Sequence, residues 1–305
     1  MANPTRGKRS ATATLAPTSS FIARSQEAAR GFALKPLRVA LQPFRLHFFP
    51  TLCSTNDHAA VLRKRGDLFA PAVVLTSRQT AGRGRGGNTW FSSQGSLTVT
   101  FVLPVNQTLA PSHLPLAAGL AVRNAVAEIT QNDDIQLKWP NDLVFQSQIA
   151  NRKSQIQKLA GLLCERLDNV DLIGIGLNVN FPPQPLPSNL RDRIIYLQQI
   201  RPDPIVSSGL RTKDPLLTPF DLNAILVTLA RHLHAMLIRK SETPFPALLR
   251  EYDRHHALVG RTVAVLSANE PPVTGKCQGL DDTGRLLLRD RSRLHRIIAG
   301  HIEFA

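Results

Sequence analysis

Hydrophobic and polar positions repeat with two different periods along this chain of 305 residues. Apolar residues recur at helical spacing over 114–129 and again over 222–237, which predicts two amphipathic helices. Ser54 precedes Asp57 by three residues, as in a capping box, and predicts the start of another helix. Runs with a period of two, such as 95–103, predict strands between the helices. This mixture indicates an α/β domain.

The pattern changes after residue 256, where short β-like runs are separated by turns such as Asp281-Asp282-Thr283-Gly284. Such spacing predicts a small β-barrel of about fifty residues. We therefore expect a basic, disordered extension over 1–46, a larger α/β domain over 47–256 and a small β domain over 257–305.

Charge is unusually high and unevenly distributed. The 37 Lys and Arg against 22 Asp and Glu give a net charge of +15, which favours an acidic partner, a nucleotide or a nucleic acid. Residues 1–50 hold eight basic side chains and one acidic one, and they lack a sustained apolar run. This stretch is therefore neither a secretory signal nor a membrane span; a disordered extension, an organelle transit peptide and a start codon placed too early all fit it.

The cysteines and histidines exclude two classes of protein. Cys53, Cys164 and Cys277 are widely spaced and odd in number, which argues against a disulfide framework and for a reducing compartment, the cytoplasm. No Cys or His pair has the spacing of zinc ligands, so we expect no metal site made by the protein.

The most distinctive polar motif is the loop from Gly82 to Trp90, which sets Arg83 and Arg85 among glycines. Glycines leave backbone N–H groups accessible, and arginines supply forked donors that match carboxylate or phosphate oxygens. The loop therefore fits an anion-binding site that Trp90 shields from water. A flexible Arg-Gly loop on a basic protein is the alternative.

Three further segments carry chemistry near predicted strand ends. In Lys138-Trp139-Pro140-Asn141-Asp142, Pro140 ends a strand in a turn that presents Asn141 and Asp142. A lysine opens the apolar strand Lys158-Leu159-Ala160-Gly161. Gly174, Gly176, Asn178 and Asn180 share one face of a later strand, and we expect this face to form the base of a pocket for a flat ligand. A bulged or edge strand is the alternative.

Taken together, these motifs resemble the biotin protein ligases over roughly residues 47–304. The motifs that carry the resemblance are Ser54-Thr55-Asn56, Gln79 with Gly82-Arg83-Gly84-Arg85-Gly86 and Trp90, Lys138 to Asp142, Lys158 to Gly161, and Gly174-Ile175-Gly176-Leu177-Asn178. The resemblance implies a monofunctional ligase with a class II synthetase-like mixed sheet, backed by helices, and an SH3-like C-terminal β-barrel.

The resemblance also implies two chemical steps. Biotin and ATP, with Mg²⁺ on the phosphates, give biotinyl-5′-AMP and pyrophosphate, and the adenylate then acylates a lysine of a biotin carboxyl carrier protein. By this resemblance Ser54, Thr55, Asn56 and Gln79 contact the ring system of biotin, Gly82 to Arg85 close over it, and Trp90 stacks on adenine. Lys158 contacts the carboxylate, and Asn178 lies near the phosphates. Asp142 either orients or deprotonates the carrier lysine, or only positions Lys158. Lys138, Asn141, Gly161 and Gly176 complete the site. Arg83, Arg85 and Lys158 neutralise the reacting anions.

The sequence departs from the family pattern in two places. Fifteen residues separate Asp142 from Lys158, an insertion that makes Lys153 a rival for the reactive lysine; the sequence Leu159-Ala160-Gly161 favours Lys158. The stretch 194–200 matches poorly, and we assign it no site residue.

Two other functions stay open at this point. A lipoate or octanoate protein ligase has a related fold, and a basic RNA-binding protein could use Arg-Gly loops. Residues 1–46 lack two periodic helices joined by a glycine turn, so we expect no specific DNA binding. We expect no membrane association, and a monomer or a homodimer.

Overall fold

The computed structural model describes residues 31–147, 155–200, 219–239, 244–267 and 270–304. The helices are α1 (Leu34–Ala40), α2 (Thr55–Lys64), α3 (Leu114–Thr130), α4 (Ser188–Arg191), α5 (Leu222–Leu233) and α6 (Phe245–Arg254), with 3₁₀ turns at Arg85–Gly87 and Leu197–Gln199 and a π-helical end to α5 at His234–Arg239. The strands are β1 (Arg45–Leu52), β2 (Ala72–Gln79), β3 (Gly82–Arg83), β4 (Thr89–Trp90), β5 (Ser96–Pro104), β6 (Gln136–Lys138), β7 (Asp142–Ser147), β8 (Gln155–Leu167), β9 (Val170–Asn178), β10 (Thr262–Ser267), β11 (Glu270–Leu280), β12 (Leu286–Arg289), β13 (Leu294–Ile297) and β14 (His301–Phe304).

A seven-stranded mixed sheet in the order β1-β2-β5-β9-β8-β7-β6 forms the centre of the larger domain. Only β1 and β2 are parallel, and the other neighbours are antiparallel. Because side chains alternate along a strand, Val73 and Leu75 enter the main core, whereas Ala72 and Val74 enter a second core on the opposite face. The mixed α/β fold predicted from the sequence is confirmed.

Helices cover both faces of this sheet. The helix α3 buries most of its residues in the main core and packs against α5, as the helical spacing of its apolar residues predicts. The shorter helix α2 packs on the other face, against β2, β5 and β9. The N-terminus of α2 is capped by Ser54, whose Oγ accepts a hydrogen bond of 3.3 Å from the Asp57 amide, as predicted.

The C-terminal β domain is a five-stranded antiparallel sheet in the order β13-β12-β11-β10-β14. Three consecutive residues at β6 and the turn after it take part in joining this domain to the larger one. Leu137 exchanges backbone hydrogen bonds with residues 255 and 257. The side chains of Lys138 and Trp139 each donate a bond of 3.0 Å to backbone carbonyls, those of Ile302 and Gly284. The edge of the main sheet is therefore tied to the C-terminal sheet.

The prediction that residues up to 46 form a disordered extension is wrong for residues 31–46. They contain α1 and the start of β1, and Leu37, Leu41 and Phe44 are buried in the main core. Leu34, Leu37 and Leu41 follow a helical repeat that the surrounding basic residues obscured. Burying these side chains gives the segment enough apolar contact to remain folded.

Two other predictions lie outside the described residues. Residues 148–154, which include Lys153, belong to the insertion between β7 and β8, and residues 1–30 form most of the basic extension. Within the described part of the chain, no helix is long and apolar enough to cross a membrane.

Candidate active site

One row of paired residues crosses five strands of the main sheet. The register places Thr98 of β5 opposite Gly176, Gly176 opposite Gly161, Gly161 opposite Asp142, and Asp142 opposite Lys138. Paired residues in a sheet point to the same face, so side chains and glycines from distant parts of the sequence form one surface. The two glycines leave the middle of this surface flat.

A cavity of about 1050 Å³ lies over this row. Its walls come from the start of α2, the Arg-Gly loop, the strands β7 to β9 and the last residues of the C-terminal sheet. The predicted site residues that line it are Ser54, Thr55, Asn56, Gln79, Arg83, Gly84, Arg85, Trp90, Lys138, Asn141, Asp142, Lys158, Gly161 and Gly176. Residues that are far apart in the sequence therefore meet in one cavity.

One end of the cavity, the neutral end, is lined by the uncharged and strongly hydrogen-bonded side chains of Ser54, Thr55, Asn56 and Gln79. The Oε1 atom of Gln79 accepts from the Thr55 amide at 2.9 Å and lies 3.3 Å from the Thr55 hydroxyl. The Thr100 hydroxyl donates to Asn56 Oδ1 at 2.6 Å, and Asn56 Nδ2 donates to Glu165 at 2.8 Å. Buried polar groups that bond one another hold fixed positions, so this end presents a defined pattern of donors and acceptors.

Two glycines allow side chains to lie directly on the sheet. A Cβ atom at Gly174 would overlap Asn56 Oδ1, and one at Gly176 would overlap the indole ring of Trp90. The Trp90 Nε1 is buried and has no hydrogen-bond partner among the described residues. A buried donor without a partner is costly unless a ligand supplies an acceptor.

The other end of the cavity is charged. Lys158 Nζ lies 2.7 Å from Asp142 Oδ1 and 5.8 Å from the centre of the Trp90 ring. The backbone of Lys158 is held on both sides, since its amide donates to the Arg193 carbonyl at 2.8 Å and its carbonyl accepts from Asn178 Nδ2 at 3.2 Å. The lysine is therefore well positioned but remains partly exposed to the cavity.

The two arginines of the loop differ in their environment. Arg83 contacts both Asp57, at 2.6 Å, and Glu165, at 3.1 Å, and its hydrogen bonds to these carboxylates raise the pKa of the guanidinium. Among the described residues, no carboxylate forms an ion pair with Arg85. Two carboxylates therefore pair with Arg83 in this structure, and the expectation that both arginines neutralise reacting anions stays a prediction.

The last strand of the C-terminal sheet supplies a wall that was not predicted. Residues 299–304 line the cavity, and Lys138 Nζ donates to the Ile302 carbonyl while lying 5.3 Å from the centre of the Phe304 ring. Burial lowers the pKa of Lys138. The side-chain Nδ2 of Asn141 donates to the Leu162 carbonyl at 2.6 Å and fixes the turn between β6 and β7.

Two predicted site residues lie outside the cavity wall. Gly82 is buried beneath Gln79 and Trp90, where a Cβ would overlap both residues, and Asn178 is buried against the backbone of Lys158. Asn180, which was expected on the same face as Asn178, instead exchanges hydrogen bonds with the backbone of Phe220. The face predicted to form the pocket base therefore contributes only Gly174 and Gly176 to it.

Sequence reasoning also missed functional positions. Thr100 and Glu165 complete the polar network, and Arg193 lines the cavity from the position just before the stretch 194–200. Thr98 and Thr100 alternate with apolar residues on a buried strand, a signal that could have revealed them. Arg193 had no such signal, because its place depends on pairing with β8.

No described group of three or more His, Cys, Asp or Glu side chains is arranged to hold a metal ion. Asp142 and Glu303 are carboxylates that line the cavity, and Asp142 already contacts Lys158. Any divalent cation at the charged end would need most of its ligands from a bound molecule.

Comparison with known proteins matches both parts of the chain. Residues 49–181 match the model of the biotin/lipoate A/B protein ligase family, and residues 258–305 match that of the biotin protein ligase C-terminal domain. The chain is 29% identical over 257 residues to the biotin–[acetyl-CoA-carboxylase] ligase of Mycobacterium tuberculosis, covering 82% of this chain and 85% of that one. It is also 29% identical over 282 residues to the bifunctional ligase/repressor BirA of Bacillus subtilis, covering 88% and 76%.

A solved structure shares the fold. The biotin protein ligase of Aquifex aeolicus, in complex with biotin and ATP, superposes with a TM-score of 0.68 and 26% identity, covering 85% of this chain and 98% of that one. Both domains, the order of the motifs and the superposition agree, and the chain belongs to the biotin protein ligase family.

Proposed function

We propose that this protein is a biotin protein ligase that activates biotin with ATP and transfers it to a lysine of a biotin carboxyl carrier protein. The observation that carries this proposal is the Lys158–Asp142 pair at one end of a cavity whose other end is a neutral hydrogen-bonded network. Biotin has the same division, because its ring system is neutral and polar and its valerate chain ends in a carboxylate.

We place the ring system of biotin at the neutral end. The fixed amides of Asn56 and Gln79 and the hydroxyls of Ser54 and Thr55 provide donors and acceptors for a cyclic urea. Gly174 and Gly176 allow Asn56 and Trp90 to lie directly on the sheet beside this position. The carboxylate then extends along the row toward Lys158.

In the first step, an oxygen of the biotin carboxylate attacks the α-phosphorus of ATP. A new oxygen–phosphorus bond forms, the bond to the β-phosphate oxygen breaks, and pyrophosphate leaves with that electron pair. Two anions repel each other unless cations lie between them, and Lys158 and Arg85 are the cavity cations that we assign to this role. We infer that Arg83, held by its carboxylates, fixes the loop that carries Arg85.

In the second step, the amine of the carrier lysine attacks the acyl carbon of biotinyl-5′-AMP. An amide bond forms, AMP leaves, and the amine loses a proton. Because one oxygen of Asp142 contacts Lys158, we propose that Asp142 chiefly positions Lys158. Trp90 lines the same cavity, and we assign it to the adenylate.

Mg²⁺ fits this site only when it is bound to the phosphates of ATP. The described side chains include no group of three metal ligands, so the phosphates of ATP would hold most of the ion. Bound in that way, Mg²⁺ neutralises phosphate charge, while the protein positions the reacting atoms.

The partner and setting follow from the same reaction. The basic surface suits an acidic carrier domain, and the three unpaired cysteines favour a reducing compartment such as the cytoplasm. The domain boundary at 256/257, a monomeric or dimeric state and the absence of specific DNA binding stay predictions.

The test uses the purified full chain with ATP, Mg²⁺, biotin and a carrier domain, and mass spectrometry of the carrier as the readout. A mass increase of one biotinyl group that requires both biotin and ATP is expected. If the carrier gains mass with lipoate or octanoate but not with biotin, the substrate is that of the related ligases and the proposed biotin specificity is wrong. Binding of RNA without any modification of the carrier would refute an enzymatic role.

A further inference from the structure

A segment without a predicted function lies beside Lys158. The amide of Lys158 donates to the carbonyl of Arg193, and the amide of Ile195 donates back to the carbonyl of Lys158 at 3.1 Å. The side chain of Gln157 adds bonds to the carbonyls of Asp192 and Ile194 at 3.4 and 3.2 Å. The segment 192–195 therefore pairs in parallel with β8, and its distance from Lys158 is set by backbone geometry.

Arg193, like Arg85, lines the cavity without a charged partner among the described residues. Arg83 and Lys158 are ion-paired with carboxylates, and Lys138 donates to a backbone carbonyl. Among the described residues, neither Arg85 nor Arg193 forms an ion pair, although both line the cavity. Arg193 is the more exposed of the two and lies at the rim.

We propose that Arg193 binds the phosphates of ATP that leave as pyrophosphate. The proposal rests on the ligase function above and adds a residue to it. A guanidinium offers paired donors that match phosphate oxygens, and an exposed position at the rim suits a group that must depart into solvent. Pairing with β8 keeps Arg193 near Lys158, so the α-phosphate and the leaving group are bound by neighbouring cations.

The role of Arg193 concerns the bond that breaks in the first step. As biotin oxygen bonds to the α-phosphorus, the bond to the bridging oxygen breaks and its electron pair moves onto pyrophosphate. Arg193 stabilises this added negative charge without giving up a proton. The second step releases AMP and involves no pyrophosphate, so it is independent of Arg193.

Arg193→Gln and Arg191→Gln form a matched pair of variants. Arg191 is exposed at the end of α4, two residues away, and it does not line the cavity. Both changes remove one positive charge from the same surface, so they affect long-range attraction of ATP to a similar extent. Thermal melting of both variants, together with Arg193→Lys, measures any loss of folding.

The two half-reactions are measured separately. Biotin-dependent exchange of labelled pyrophosphate into ATP gives the KM for ATP and the KM for pyrophosphate, and transfer from preformed biotinyl-5′-AMP to the carrier gives the second step. We expect Arg193→Gln to raise both KM values about tenfold, because the variant loses one charge-assisted hydrogen bond to phosphate. The rate of biotin transfer from biotinyl-5′-AMP to the carrier should be unchanged. Arg193→Lys should recover part of the loss, and Arg191→Gln should match the wild type.

Two outcomes overturn the assignment. One is an exchange reaction that is the same for Arg193→Gln and Arg191→Gln. The other is a defect confined to the KM for the carrier, which would make Arg193 a carrier contact. If the wild type shows no biotin-dependent exchange, the ligase function itself fails, so the two failures are distinguishable.

Discussion

The two ends of the cavity are built in opposite ways. At the neutral end, Thr55, Asn56, Gln79 and Thr100 bond to one another and are buried. At the charged end, Lys158 has a single carboxylate partner and Arg85 has none among the described residues. A network that satisfies itself holds its shape before the ligand arrives, whereas unpaired cations are stabilised only when an anion binds. The first arrangement suits recognition and the second suits chemistry.

The largest effect should come from removing the cation at the charged end. Lys158→Gln deletes the ammonium next to the reacting carboxylate, and we expect formation of biotinyl-5′-AMP to fall about a hundredfold to a thousandfold. Biotin binding, measured by calorimetry without ATP, should change little, because the ring system occupies the neutral end. Lys64→Gln, at the exposed end of α2, is the charge-matched control. If Lys158→Gln lost biotin affinity as strongly as it loses adenylate formation, the assignment of biotin recognition to the neutral end would be contradicted.

The next effect should come from disturbing the neutral end. In Gly174→Ala the new methyl group would overlap Asn56 Oδ1, so Asn56 must leave its bond with Thr100. We expect biotin affinity to fall about fivefold to a hundredfold, since overpacking costs about 1–3 kcal/mol. Gly119→Ala places its methyl group at an ordinary distance of 3.5 Å from Leu137 and serves as the control. Unchanged biotin binding in Gly174→Ala would show that the network adapts freely.

Variants of the two loop arginines should affect different properties, because Arg83 is ion-paired and, among the described residues, Arg85 is not. Arg85→Ala should leave the melting temperature unchanged but release biotinyl-5′-AMP, which then labels bystander lysines several-fold more. Arg83→Ala leaves Asp57 and Glu165 close together without their cation, so it should lower the melting temperature. Blotting for biotin on an added bystander protein, together with thermal melting, tests both. If Arg85→Ala lowered the melting temperature and Arg83→Ala increased bystander labelling, the roles assigned to the two arginines would have to be exchanged.

The smallest expected effect is on the pH dependence of the free energy of unfolding. His58 lies on α2, and burial together with the nearby charge of Arg65 lowers its pKa below the ordinary value of 6.5. The unfolded chain therefore takes up a proton more readily, so the free energy of unfolding should fall as the pH drops from 7.5 to 5.5. In His58→Gln the melting temperature should depend less on pH, and its change between pH 7.5 and 5.5 should differ from that of the wild type by less than about 2 °C. An unchanged slope would exclude His58 as a contributor.

Local motifs allowed much of the site to be predicted from the sequence. Asn141, Asp142 and Lys158 lie where the turn after Pro140 and the start of a strand suggest, because short-range geometry determines those positions. Gly82 and Asn178 were assigned to the cavity by their motifs, yet packing places both behind it. Residue type indicates polarity or flexibility but not which neighbour a buried residue contacts.

The missed parts depend on contacts between distant segments. Arg193 reaches the cavity because its segment pairs with β8, and the wall at 299–304 exists because the C-terminal sheet docks on β6. No local pattern encodes either contact. The folded segment 31–46 was missed for a related reason, since its leucines become informative only when the core that receives them is known.

Two of the hydrogen bonds between the domains use backbone carbonyls as acceptors, those of Gly284 and Ile302, whereas Arg261 donates to the side chain of Gln146. A carbonyl is present whatever the side chain, so the acceptor at position 302 can survive many substitutions during evolution. Insertions or deletions in the turn 281–284 would move the acceptor of Trp139 and disturb the loop that carries Asp142. Conservation of length, more than of residue type, is therefore the evolutionary trace that this junction should leave.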